Sequence, residues 1–176
     1  MYASDVLNSV RFLLKDSEKT EYSDIQLLSA LNIVLSDLWG MLLQERSPLL
    51  EETATVTMTD GVGSLPVDFH GIVDVEGHVE LKAGEVMETG LYRITGVNTI
   101  KATADELNIT YIATRRPLSD PESYIPLPDS FFSILVKATL AVIAGKLADA
   151  IGLLDQSRQY WAGRGVANLS ETSAYV

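Results

Sequence analysis

Apolar residues recur every three or four positions over the first fifty residues, which predicts two helices. Val6, Val10, Leu13 and Leu14 form one stripe, with Ser4 or Asp5 as the expected cap, in a segment ending near Lys15. Asp16 to Tyr22 is polar and aperiodic, hence a loop. Ser23-Asp24-Ile25-Gln26 has the form of a capping box, in which serine and glutamine side chains satisfy backbone donors at a helix start. Leu28, Leu31, Leu35, Leu38 and Leu42 follow on one face, widened by Ile25, Val34 and Trp39. Pro48 disfavours helix at Ser47, so this second helix should stop near Glu45.

The pattern changes to strict alternation after Glu52. Thr53 to Met58 alternates hydroxyl and apolar side chains, the mark of a half-buried strand. Thr59 to Gly63 reads as a turn, and Pro66 confines the following piece to an edge or loop. Further short strands are expected at 72–75, 79–81, 91–94, 99–102 and 107–112, with turns at Gly84, Gly90, Gly96 and Asp105. Arg115 to Pro126 is a proline-bearing connection. Helical spacing then returns with Phe131, Ile134, Leu135, Ala138, Leu140, Ala141 and Ala144, giving a helix over 128–150 started by Pro128. Gly152 should interrupt it before a last helix, Leu153 to Arg164, with Leu154, Tyr160 and Trp161 on its apolar side.

The implied fold class is α+β: a helical bundle of about four helices with an inserted small antiparallel β domain. The bundle comprises 1–50 plus 115–165, the β domain 51–114, and 166–176 a flexible C-terminal tail.

Composition narrows the function. The chain has 176 residues, 47% of them apolar and 21% charged, which is the balance of a globular protein. There is no cysteine, which removes thiolate catalysis and cysteine zinc sites. Thirteen basic against 24 acidic residues give −11, a poor charge for gripping phosphate backbones. Residues 51–114 hold 11 acidic and 3 basic residues, net −8, so the negative charge concentrates in the β region. No consecutive apolar run approaches the roughly 18 residues of a membrane span, and no signal peptide pattern is visible, so the chain reads as soluble and made in the cytoplasm.

Candidate chemistry is sparse. Ser64, Asp68 and His70 lie close in sequence, but a triad needs a geometry this spacing does not specify, and no nucleophile elbow surrounds Ser64. His70, His78 and Asp68 or Asp74 lack the spacing of a metal site. Gly61-x-Gly63 reads as a hairpin turn rather than a phosphate cradle. Arg115-Arg116 is a basic pair on a loop, either solvated or offered to a partner's acidic surface or to passing nucleic acid. Trp39 and Trp161 sit in apolar stripes and read as core. No catalytic residue, cofactor site or metal site is assigned, and no enzyme is expected.

Several segments, taken in order, carry a resemblance. They are the Leu/Trp-rich helix Ser23 to Leu43, Gly61-Val62-Gly63-Ser64-Leu65-Pro66-Val67-Asp68-Phe69, and Leu91-Tyr92-Arg93-Ile94. Then come Ile109-Thr110-Tyr111-Ile112-Ala113, Ile125-Pro126-Leu127-Pro128-Asp129 and an alanine-rich helix. Over most of its length the chain resembles the head–tail connector (adaptor, or head completion) proteins of tailed bacteriophages. The resemblance implies a structural virion protein at the head–tail junction, assembled in the host cytoplasm. It implies a ring of about twelve copies under the portal protein, extending the DNA channel without sequence-specific DNA binding and joining tail or further connector proteins. No membrane is involved. The resemblance points to the C-terminal segment, with Gly165, Val166, Tyr175 and Val176, as the part that docks on the portal, while the charge pattern adds Glu80, Glu85, Glu88, Arg115 and Arg116 as partner-binding candidates, the acidic ones facing either the DNA channel, where they repel phosphates, or a basic tail protein. The alternatives are another phage assembly protein, such as a tail-completion protein, or a ligand-binding β module on a helical stalk.

Overall fold

A computed structural model describes residues 1–157. It divides into two compact units: residues 46–115, and residues 1–45 together with the chain from Arg116 onward.

The helical unit begins with α1, Ala3–Leu14. Tyr2, rather than Ser4 or Asp5, is its N-cap residue, and the Asp5 carboxylate accepts the Tyr2 N–H at 3.0 Å. Lys15 takes a left-handed conformation and ends the helix. The loop that follows winds round a buried carboxylate. Asp16 accepts the backbone N–H groups of Thr20, Glu21 and Tyr22 at 2.8–3.1 Å, and Arg11 reaches it from α1 at 2.8 Å. α2 spans Asp24–Gln44 and opens on the capping box read from Ser23 and Gln26. Leu27, Leu31, Leu35 and Leu38 are buried along it.

At 21 residues and a mean hydropathy of 1.5, α2 is long and apolar enough to cross a membrane by length and composition, contrary to the sequence reading. Ser29, Asn32, Ser36 and Asp37 break the consecutive run but leave the average high. Half of the stretch is buried inside the protein, where α2 packs on α1 and α3.

The connection after Arg116 is pinned to this unit. The Asn32 side chain donates to the Leu118 carbonyl and accepts the Leu118 N–H, at 2.9 and 2.8 Å. Ile125 and Leu127 are buried, and the Ile125 N–H donates to the Met1 carbonyl. A short 3-10 turn, Asp129–Phe131, leads into α3, Phe132–Ile143. The helix expected over 128–150 is broken at Gly145, whose φ of 72° is left-handed. The Gly145 and Lys146 N–H groups bond back to Val142 and Ala141, which closes α3 as a Schellman motif. α4 begins at 147 and runs through Gly152 to the last described residue. The break therefore lies seven residues earlier than the sequence suggested, because Gly145 takes a positive φ and Gly152 does not.

The β unit overturns the expected fold class. In place of a small antiparallel insertion there are seven strands in one mixed sheet: β1 Glu51–Thr59, β2 Val62–Ser64, β3 Phe69–Val75, β4 Val79–Glu80, β5 Leu91–Ile94, β6 Thr99–Ala102 and β7 Glu106–Ala113. Their order is β3-β7-β1-β2-β6-β5-β4, and β4 pairs with β5 in parallel. The two outermost strands, β3 and β4, are joined by residues 76–78 alone, so the sheet must curl until its edges approach. Val75 from one edge strand shares a core with Tyr92 and Ile100 from the other half, and the Asp74 charge reaches the Tyr92 phenol. The result is a nearly closed, barrel-like sheet, not a helical bundle with a small β insert. Runs of two to four residues give no sign of which strands pair, which is why the sequence under-read it.

The β1–β2 hairpin turns on Asp60 and Gly61, both at positive φ, as a tight hairpin turn requires. Gly63 lets the two strands close up. A Cβ there would lie 2.5 Å from Val56 Cγ1 and 2.6 Å from Met58 Sδ.

Candidate functional site

The acidic residues singled out in the sequence sit on and beside the loop between β4 and β5. The base of this loop is held by backbone bonds, Val79 N–H to the Gly90 carbonyl at 2.9 Å and Leu81 N–H to the Tyr92 carbonyl at 2.7 Å, with Leu81 buried. Beyond that anchor the Lys82 N–H donates to Glu85 Oε2 at 2.8 Å, and the Glu88 carbonyl accepts the Leu91 N–H. Glu80, Glu85 and Glu88 are exposed, and Val86 beside them is exposed as well. The Tyr92 phenol is pushed up, first by burial and then by the charges of Glu80 and Asp74.

Arg115 and Arg116 separate. Arg115, just beyond the end of β7, is mostly buried in an ion pair with Glu52 of β1, whereas Arg116 is exposed and belongs to the helical unit. Gly165, Val166, Tyr175 and Val176 lie outside the described residues, as does Trp161; Trp39 is buried.

Ser64, Asp68 and His70 are not brought together as a catalytic group. Ser64 is on β2 and His70 on β3, which are separated by β1 and β7. The Asp68 carboxylate accepts the Tyr111 hydroxyl at 3.1 Å, and this bond, after burial, raises the phenol to about 12. His78 Nδ1 lies 2.8 Å from the Glu76 carbonyl. Among the described residues no three His, Cys, Asp or Glu side chains converge as metal ligands.

One surface was missed. Asn8, Ser9, Phe12 and Leu13 of α1 face Phe132 and Val136 of α3 across a groove of about 510 Å³. Leu13, read as core from its stripe, is 56% exposed, and Phe12 is 76% exposed. The signal was present in the sequence as four consecutive positions, Arg11 to Leu14, that no single helix face can bury together.

A family model described as SU10 adaptor protein matches residues 1–173. No curated protein matches the chain. The chain belongs to the SU10 adaptor protein family, phage adaptors that are structural virion components and meet other head and tail proteins.

Proposed function

We propose that this chain is a head–tail connector that forms a ring under the portal, extends the DNA channel and joins the tail to the head. The observation that carries the reading is the family match, which spans 1–173 and so includes both units. A ring of about twelve copies would repeat the acidic loop around its axis. Exposed charges are screened beyond about 8 Å at physiological salt, so this field acts where a partner or DNA comes close. Glu80, Glu85 and Glu88 face the tail side in this reading and steer basic tail proteins, while Arg116, exposed on the helical unit, is offered to an acidic partner of its own. The segment holding Gly165, Val166, Tyr175 and Val176 docks on the portal. DNA passes without sequence-specific contact, consistent with a chain of net charge −11.

The test is reconstitution. Purified protein is added to DNA-filled, tailless heads, which are imaged by electron cryomicroscopy and then assayed for tail joining. A ring of density at the portal vertex is expected. With Glu80, Glu85 and Glu88 all changed to glutamine, the ring should still form, while tail joining falls and loses its salt dependence. Heads without added density at the portal vertex would overturn the connector reading. Unchanged tail joining by the triple variant would overturn the role of the acidic loop.

A further inference from the structure

α2 keeps an outer face in the open. Ile25, Ser29, Ile33 and Ser36 are exposed along it, and Gly40 continues the stripe at helical spacing. The open face of a surface helix usually carries lysine and glutamate. From Ile25 to Gln44 this helix has one charged residue, Asp37, half-buried on the flank of the stripe. Gly40 costs the helix about 1 kcal/mol against alanine. Yet a Cβ there would touch nothing within 4 Å. The described packing of the chain does not require a glycine at that position, whereas close approach of a helix from outside does.

The groove between α1 and α3 is the counterpart. Phe12 and Leu13 stand exposed on one wall, Phe132 and Val136 form the other, and Lys137 is the one charged residue lining it. Met1 and Asp5 lie beside Asp129 and Phe132 at the start of α3, so α1 and α3 run in the same direction and Lys137 stands at the Leu13 end. Asp37 stands one turn beyond Ile33 on α2. Among the described residues neither Asp37 nor Lys137 has an ion-pair partner. The three helices pack pairwise, so the open groove between α1 and α3 faces away from α2, and the stripe on α2 faces away from the groove. Two different patches on opposite sides of one unit make a head-to-tail contact, the kind that can close into a ring.

We infer that the groove between α1 and α3 receives the outer face of α2 from a second copy of this chain. Ile33 of the second copy seats beside Leu13 and Val136, its Asp37 meets Lys137, and its Gly40 lets the helix lie close. A single repeated contact then covers both exposed apolar surfaces in every copy and pairs the one charge on each. A helix with a basic face fits less well, because it would set its charges against Lys137. The inference rests on the ring reading and names the surface through which the ring closes.

The chain contains no cysteine, so introduced thiols report this contact without background. Leu13→Cys and Ile33→Cys are combined in the full chain, which is added to DNA-filled, tailless heads, washed and oxidised. Both positions are exposed. A ladder of covalent oligomers is expected on denaturing gels, and either cysteine alone should give monomer. In that background Asp37→Lys and Lys137→Asp should each reduce cross-linking about tenfold, and the two together should restore it. Gly40→Leu places its side chain in open space and should leave the melting temperature of the free chain unchanged or raised, while blocking the ladder. A ring of density at the portal vertex without the ladder would overturn this contact and leave the connector reading standing. Heads without added density would overturn both. A ladder that survives Gly40→Leu, a double charge reversal that fails to restore cross-linking, or dimers from Leu13→Cys alone would each overturn the contact.

Discussion

In the helical unit charge lies inside. Arg11 is 3% exposed and Asp16 is 2% exposed, and Arg11 also reaches Asp24 at 2.7 Å and the Tyr22 carbonyl at 2.7 Å. In the β unit the buried cluster is apolar except for the phenols of Tyr92 and Tyr111, and the carboxylates lie at or near the surface. The difference follows from what each unit must fix. The α1–α2 loop has no ladder to order it, so a carboxylate and a guanidinium satisfy its backbone groups. The strands satisfy their own backbone groups through pairing and need from their side chains only the filling of a core. The helical unit therefore depends on groups that must stay ionised, and the apolar core of the β unit on groups that must stay neutral.

Breaking the buried pair should have the largest effect. Arg11→Ala leaves the Asp16 carboxylate without its cationic partner and should cost about 3–5 kcal/mol in chemical denaturation. Leu135→Ala, a fully buried apolar truncation in the same unit, should cost about 2–5 kcal/mol. An Arg11→Ala variant as stable as the parent would show that the three backbone donors alone hold the loop.

The matching lesion in the β unit is steric rather than electrostatic. Gly63→Ala forces a methyl group against Val56 and Met58 and should lower stability by about 1–3 kcal/mol, with little dependence on pH. A pH-dependent loss of similar size would contradict an apolar account of that core.

The smallest effect sharpens the contrast most. The Asp16 carboxyl is held below its usual range, foremost by the Glu21 N–H and against the opposing effect of burial, with Tyr22 and Thr20 adding to it. Asp24 is lowered by hydrogen bonds from Lys19 and then Arg11. A lowered folded value means that the unfolded chain takes up protons first, so this contribution is lost as pH falls below about 4. Tyr111 has the opposite sign: raised to about 12, it contributes below the ordinary phenol value of 10.0, and the contribution is lost as pH climbs from there to about 12. Acid should therefore loosen the amides of the α1–α2 loop first, and alkali those around β7, as read by hydrogen exchange. Tyr111→Phe should cost about 0.5–1.5 kcal/mol at neutral pH and flatten the alkaline limb. The same alkaline limb in Tyr111→Phe would assign it to another group.

Local chemistry was legible where a few adjacent residues decide it. Ser23 and Gln26 make the capping box their spacing announced, α2 stops at Gln44, and Asp60-Gly61 makes the hairpin turn. The candidate site was less so. Glu80, Glu85 and Glu88 are exposed, but Arg115 turned inward to Glu52, a residue 63 positions away, and Arg116 did not follow it. Nothing in the pair of arginines distinguishes them, because the choice is made by which side of β7's end each one leaves.

What the sequence determined by itself is the alternation of elements and their caps, since propensity, proline and glycine act within a turn or two of the chain. Only the tertiary structure decided the strand order, the near-closure of the sheet, the break at Gly145 rather than Gly152, and the exposure of Phe12 and Leu13. These depend on partners brought from far along the chain: β1 lies between β7 and β2. A hydrogen-bonding side or a buried face is a property of two segments, and one segment's pattern cannot name the other.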